Sequence, residues 1–194
     1  MHPRLQELMT YLDAQRAGVM AAAGAIAVER WTEKPAPAAW SVVEVLEHLR
    51  KGEEAVVRLS FKLGKQAIAA GNARRETETS SLLGSLDHMM NGRGVIDRTL
   101  RREAPPETRP GEALDPQTVV NGLARTREDL YKAVTLVDGL ALGDLRWTHP
   151  LLGDLDLYQY ILFIGQHEAR HALQIGEIGT ALEAPAPGVT SGGN

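Results

Sequence analysis

Apolar residues recur three and four positions apart through four stretches of the chain, the spacing that gathers them on one face of an α-helix. The first stretch runs from about residue 4 to residue 29 and carries Leu5, Leu8, Leu12, Val19, Ala23 and Ile26. It ends before the linker Pro35-Ala36-Pro37. The second opens after Trp40, where Ser41 can cap a helix and Glu44 can return the hydrogen bond, with Trp40 as the flanking staple. Its inward stripe is Val42, Val45, Leu46, Leu49, Val56, Leu63 and Ala67, and His48 falls at the edge of that stripe. The third begins at Asp115-Pro116, a cap followed by a proline in the first helical position. It carries Val119, Leu123, Thr126, Leu130, Val134 and Val137 until Gly139 stops it. Asp156 caps the fourth, with Gln159 placed to complete the box and Leu155 and Tyr160 to staple it. Its stripe reads Leu157, Tyr160, Ile161, Ile164, His167, His171, Gln174 or Ile175, and Ile178, ending near Gly179.

The polar stretch from Gly71 to Leu114 is too long for a simple turn, and a short helix is expected in it, at Leu82 to Met90 or around Val95 to Arg102. Leu145 to Pro150 and Leu151 to Asp154 look like two short extended pieces around a turn. From Ala184 to Asn194 the chain is Pro, Gly, Ser and Ala with little to bury, the composition of a disordered tail. The pattern therefore predicts an all-α fold: one four-helix bundle over residues 1–183, with a long, partly helical connection between helices two and three, and a tail at 184–194.

Composition narrows the function more than the fold. With 5% aromatic residues the interior is expected to be Ala, Leu and Val, as suits packed helices. A net charge of -4 gives no general attraction to nucleic acid, and the basic pairs Arg74-Arg75 and Arg101-Arg102 are interleaved with Glu76, Glu78 and Glu103, so they read as solvated loop charges. There is no cysteine, which rules out disulfides, thiolate metal sites and a protein thiol nucleophile while leaving the compartment open. Gly18 to Val28 has the look of a signal-peptide core, but Glu7 and Asp13 precede it and it continues the inward stripe, so it reads as bundle helix. No apolar run is long enough to span a bilayer. A cytoplasmic location without membrane contact is the expectation.

The chemistry concentrates in His167-Glu168-Ala169-Arg170-His171. Positions four apart on a helix lie about 40° apart around the axis and roughly 6 Å apart along it, so both imidazoles can bind one metal ion. A working metal center needs at least a third ligand. His48 is the best donor, being the only other histidine near the inward face of a long helix; His2, His88 and His149 read as terminal or loop residues. Glu168 has two readings: a base that polarises a metal-held water or bonds a ligand histidine, or a solvated residue beside the stripe. Arg170 and Gln174 are candidates for orienting a ligand or contacting substrate. A metal-free cluster of three buried imidazoles is the alternative, but it would leave several polar atoms to satisfy.

Trp40-Ser41 followed by Glu44 and His48, then His149-Pro150-Leu151-Leu152-Gly153, then His167, His171, Gln174 and Ile175 resemble the DinB-like superfamily, also described as damage-inducible or YfiT-like. The likeness spans residues from about 5 to 180. It implies a four-helix bundle, often dimeric, that binds a divalent metal such as zinc or nickel, with iron and manganese as further options. The family's three histidine ligands fall on His48, His167 and His171. It also implies S-transferases and isomerases that use a low-molecular-weight thiol such as bacillithiol or mycothiol, and metal-dependent hydrolases. The leading expectation is a metal-dependent transferase that turns a thiol on a small electrophile, the thiol arriving as a cosubstrate because the chain has none. A hydrolase and a noncatalytic stress-response module that binds a ligand or partner are the alternatives. The small residues of the first helix agree with a homodimer. A zincin protease, suggested by His-Glu-x-x-His, fits less well: no further histidine follows at metzincin spacing, and no sheet is expected that could hold an extended peptide.

Overall fold

The structure is a computed structural model that describes residues 1–184, so the expected tail at 184–194 lies almost wholly outside the described residues. It contains α1 (Pro3–Gly24), α2 (Val42–Ala70), α3 (Leu83–Asn91), α4 (Pro116–Leu136) and α5 (Leu157–Glu183), with a hairpin of β1 (Arg146–His149) and β2 (Gly153–Asp156) before the last helix. The all-α expectation holds. Both anticipated capping boxes form: Ser41 accepts from the Glu44 amide while Glu44 accepts from the Ser41 amide, and Asp156 and Gln159 do the same at α5. Asp115 caps α4 through the Thr118 amide, with Pro116 at the first helical position.

Two boundaries differ from the pattern. α1 stops at Gly24, because the chain turns extended at Ala27 and the Trp31 indole N–H takes the Ile26 carbonyl at 2.9 Å. α5 continues past Gly179 to Glu183. Gly179 is not a stop signal there; a β-carbon at that position would lie 3.2 Å from Ile26, so the glycine lets α1 and α5 approach.

α1 packs chiefly on α5, and α2 packs on α4 and α5. Contacts advance together along α1 and α5, from Tyr11 beside Gly165, through Arg16 on Glu168, to Ile26 beside Gly179. They also advance together along α2 and α4, from Arg50 beside Gly122 to Gly64 beside Val137. Each pair is therefore parallel. In contrast, α2 meets α5 head to tail, with His48 near His171 and Gly52 near His167. A parallel α2 and α4 force the intervening chain to travel back along a helix of 29 residues, about 44 Å. That is why the segment from Gly71 to Leu114 is long. Of the two places anticipated for a short helix, the first holds it, as α3, and the second does not. Arg170 explains the difference, since its guanidinium donates to the carbonyls of Val95, Asp97 and Leu100, which a helix would have used internally.

The apolar core is divided. One cluster holds Leu5, Leu8, Val56, Leu130 and Ile161; the other holds Val19, Leu46, Leu49, Leu123 and Ile175. Between them each long helix contributes one charged side chain. Arg16 lies 2.7 Å from Glu53 and 2.5 Å from Glu168, and Arg127 lies 2.6 Å from Glu53 and 3.0 Å from Glu168. Arg127 also reaches Asp13 at 2.9 Å, whose other oxygen accepts from the Tyr131 hydroxyl. Glu53 and Glu168 are 2% and 1% exposed, so both carboxylates are removed from bulk solvent. Burial alone would lower the Arg127 pKa, but Glu53 and Glu168 outweigh it and hold the guanidinium above the usual arginine value. Glu168→Gln leaves Arg16 and Arg127 with Glu53 as their one buried carboxylate, Asp13 reaching Arg127 from the exposed edge, and breaking a buried pair costs about 3 kcal/mol or more. Urea unfolding should show that loss, while the folded fraction keeps the metal content of wild type; unchanged stability with lost turnover would instead make Glu168 a base.

Candidate metal centre

His48 enters from the second turn of α2, and His167 and His171 enter from consecutive turns of α5. Because the charged layer ties Glu53 to Glu168 through both arginines, the turns carrying Gly52 and His167 face each other across the helix pair. The three imidazoles close to ring-centroid distances of 4.8 Å, 4.9 Å and 4.5 Å. The Nε2 atoms of His48 and His171 stand 3.0 Å and 3.1 Å from that of His167. Imidazoles around one tetrahedral zinc would stand about 3.3 Å apart, so the cluster is already near the spacing an ion demands.

The outer nitrogens decide the tautomers. His48 Nδ1 lies 2.9 Å from the Thr108 carbonyl, and His171 Nδ1 lies 2.7 Å from Gln174 Oε1. Both oxygens only accept, so both Nδ1 atoms carry the proton and both Nε2 atoms present lone pairs to the center. His167 Nε2 can supply at most one proton to two such acceptors. A cation satisfies all three at once, and these residues could hold a metal ion. The imidazoles are also kept neutral. Burial lowers His48, the Thr108 bond opposing it in part; burial, with His171 and His48 alongside, takes His167 well below its usual value. Burial, with His48 adding to it, brings His171 down to about 3.

His48 and His171 are buried and His167 is half-buried, opening on a cleft of about 1890 Å3. Trp40 packs its ring 4.9 Å from His48, and Phe163 stacks on His167 at 5.2 Å. The α3–α4 connection covers one side, fixed through the Thr108 bond to His48, the Lys51 bond to the Arg109 carbonyl at 2.7 Å, and the Arg170 bonds already described.

A family model for the DinB superfamily matches residues 11–175, a span that contains all three histidines and both helices that carry them. The chain belongs to the DinB superfamily. It is 27% identical over 158 residues to the uncharacterized protein YuaE of Bacillus subtilis (strain 168), a match covering 80% of this chain and 86% of that relative. No solved structure matches it.

In this DinB-superfamily chain the three histidines named from the sequence come together. Gln174 orients His171, one of the two roles anticipated for it. Arg170 bonds to the connection and lines the cleft. Glu168 sits where neither reading put it: among the described residues its carboxylate bonds to Arg16 and Arg127, and it is neither solvated nor bonded to a histidine. Of the other histidines, His2 caps α1 and His88 is exposed on α3. His149, in the sequence an ordinary loop residue, lines the cleft 5.0 Å from Phe163. Its Nδ1 accepts the amides of Leu151 and Leu152 and so closes the hairpin turn. The sequence offered no sign of Thr108, which contributes only a carbonyl. Arg16, Glu53 and Arg127 did leave a sign, since each is a charge where its helix should be apolar.

Elemental analysis of untagged protein, purified without added metal or chelator, should find about one transition-metal ion per wild-type chain and little in His48→Ala or His171→Ala. A wild type that stays empty after zinc or nickel reconstitution removes the metal centre. The metal-free protein should also be acid-sensitive. The His171 pKa is about 3 when folded against 6.5 ordinarily, so between those values the unfolded chain takes up a proton that the folded chain refuses. Its stabilising contribution is present above pH 6.5 and is lost as pH falls toward 3. At about pH 5 the loss from His171 alone is about 2 kcal/mol relative to neutral pH, measurable by urea unfolding.

Proposed function

We propose that this protein is a metal-dependent enzyme in which His48, His167 and His171 hold a divalent ion that activates a low-molecular-weight thiol, or water, for attack on a small electrophile. The convergence of three Nε2 atoms on an open cleft carries this reading. Bound there, zinc or nickel would supply a Lewis acid whose charge three neutral imidazoles leave uncancelled, lowering the pKa of a thiol or water in the cleft. The chain's own residues set the conditions for that chemistry. Thr108 and Gln174 hold the lone pairs of His48 and His171 on the center, while Trp40 and Phe163 shield its imidazoles with apolar surface. Glu168 takes no part in moving the proton, because its oxygens are engaged with arginine.

The cleft, half open to solvent, admits two molecules side by side, as transfer requires. Sites for one small ligand occupy about 300–1,000 Å3, and this cleft has room for a thiol and an electrophile together. With no cysteine in the chain, the thiol is a cosubstrate. A purely structural ion is less well supported, since the charged layer already ties α2 to α5 without one.

A panel of low-molecular-weight thiols should be tested against a chromogenic aryl halide, with wild type beside His171→Ala. Wild type should consume the halide in a thiol- and metal-dependent manner and His171→Ala should not. Turnover at the wild-type rate in His171→Ala would remove the histidine centre from the mechanism. A chelated wild type that loses activity while keeping most of its melting temperature would separate a catalytic ion from a structural one.

A further inference from the structure

The arginines of the cleft are not equally neutralised. Arg98 pairs with Glu177 at 2.5 Å, Arg58 with Glu54 at 2.7 Å, and Arg109 with Glu103 at 3.6 Å. Lys34 pairs with Glu44 at 2.8 Å. Arg101 and Arg102 line the same cleft, and among the described residues neither has a carboxylate partner; Arg102 donates to the Arg93 carbonyl, and Arg101 makes no hydrogen bond or ion pair. The neighbouring Glu103, which in the sequence seemed to neutralise them, is turned to Arg109. Arg170 stands behind them with backbone carbonyls as its partners.

These charges crowd one another. Burial, then the charges of Arg98 and Arg102, pull Arg170 below the usual arginine value; burial, then Arg102, brings His149 down to about 4. Among the described residues Glu107 and Glu112 line the same cleft without an ion-pair partner, so the cleft as a whole is mixed in charge; the guanidiniums stand uncompensated at the end where Arg102 crowds Arg170 and His149. Aromatic surface completes the wall: Trp147 is 46% exposed on β1, and Phe163 stacks on His167.

We propose that the cleft takes an organic anion, its carboxylate or phosphate held by Arg101 and Arg102 and its apolar body lying against Trp147 and Phe163, with the reactive end toward the histidines. The proposal rests on reading this cleft as the substrate site. It names a property of the substrate, or of the thiol that accompanies it, that the metal centre alone does not specify. Guanidinium suits the role because its planar donor fork bonds carboxylate and phosphate oxygens in pairs.

Isothermal titration at low ionic strength tests it with 3-phenylpropionate and phenyl phosphate as anionic probes and 3-phenylpropionamide as the neutral one. Purified wild type should bind at least one anion about tenfold more tightly than the amide, the scale of a charge-assisted bond pair. The better of the two anions identifies the group. Arg101→Gln with Arg102→Gln should abolish the preference, as should Arg101→Glu alone, whereas His171→Ala should retain it. Both arginines are exposed, and matched melting curves will show that the variants fold. Equal binding of amide and anions, or no binding of any probe, overturns the proposal. So does a preference that survives in the arginine variants and disappears in His171→Ala, which would seat the anion on the metal and leave the centre itself intact. A wild type without metal whose anion preference still depends on Arg101 and Arg102 would reject the metal reading and keep this one.

Discussion

Two arginines and two glutamates buried at mid-height, one from each long helix, are the constraint on which the remaining structure depends. Hydrophobic faces alone allow helices to slide or rotate past one another at small cost, because any apolar contact is much like the next. A buried ion pair does not allow this, since moving it by one turn strands a charge in the interior. Arg16, Glu53, Arg127 and Glu168 therefore set one register for all four helices and divide the core into two apolar clusters. Balanced charge makes the layer tolerable; its distribution over four helices makes it specific.

The three-histidine cluster inherits that register. His167 directly precedes Glu168 and Gly52 directly precedes Glu53, so locking the carboxylates places the faces of α2 and α5 that carry the histidines opposite each other. Gly52 leaves room for the His167 ring, and a β-carbon there would sit 3.6 Å from it. The parallel course of α2 and α4 then sends the connection back along the bundle, and that return path crosses the site. Thr108 fixes the tautomer of His48, Arg170 pins the segment from Val95 to Leu100, and Arg101 and Arg102 reach the cleft. One topological feature accounts for the lid over the centre, the orienting carbonyl and the cationic wall.

Much of this was legible in the sequence where the signal is local. Ser41 with Glu44, Asp156 with Gln159, and Asp115 with Pro116 mark helix starts because capping is decided within one turn. His167 and His171 announce a shared face because helical periodicity is rigid. Gly179 misled because a glycine serves equally as a stop or as a point of close approach, and only the neighbouring Ile26 distinguishes the two. Arg101 and Arg102 misled because proximity to Glu103 in sequence says nothing of which way that carboxylate turns.

By itself the sequence determined an all-α bundle, its long helices and their caps, and three histidines suited to one ion, since each follows from spacing within a helix or from a resemblance carried by such spacings. The tertiary structure decided the parallel pairing of α1 with α5 and of α2 with α4, the burial of Glu168 among arginines, the part played by Thr108, and the charge of the cleft. These depend on which side chains meet across helices far apart in the chain. A charge at an inward position signals that a partner must exist, because an isolated buried charge is too costly to keep; which partner it finds is settled only when the helices pack.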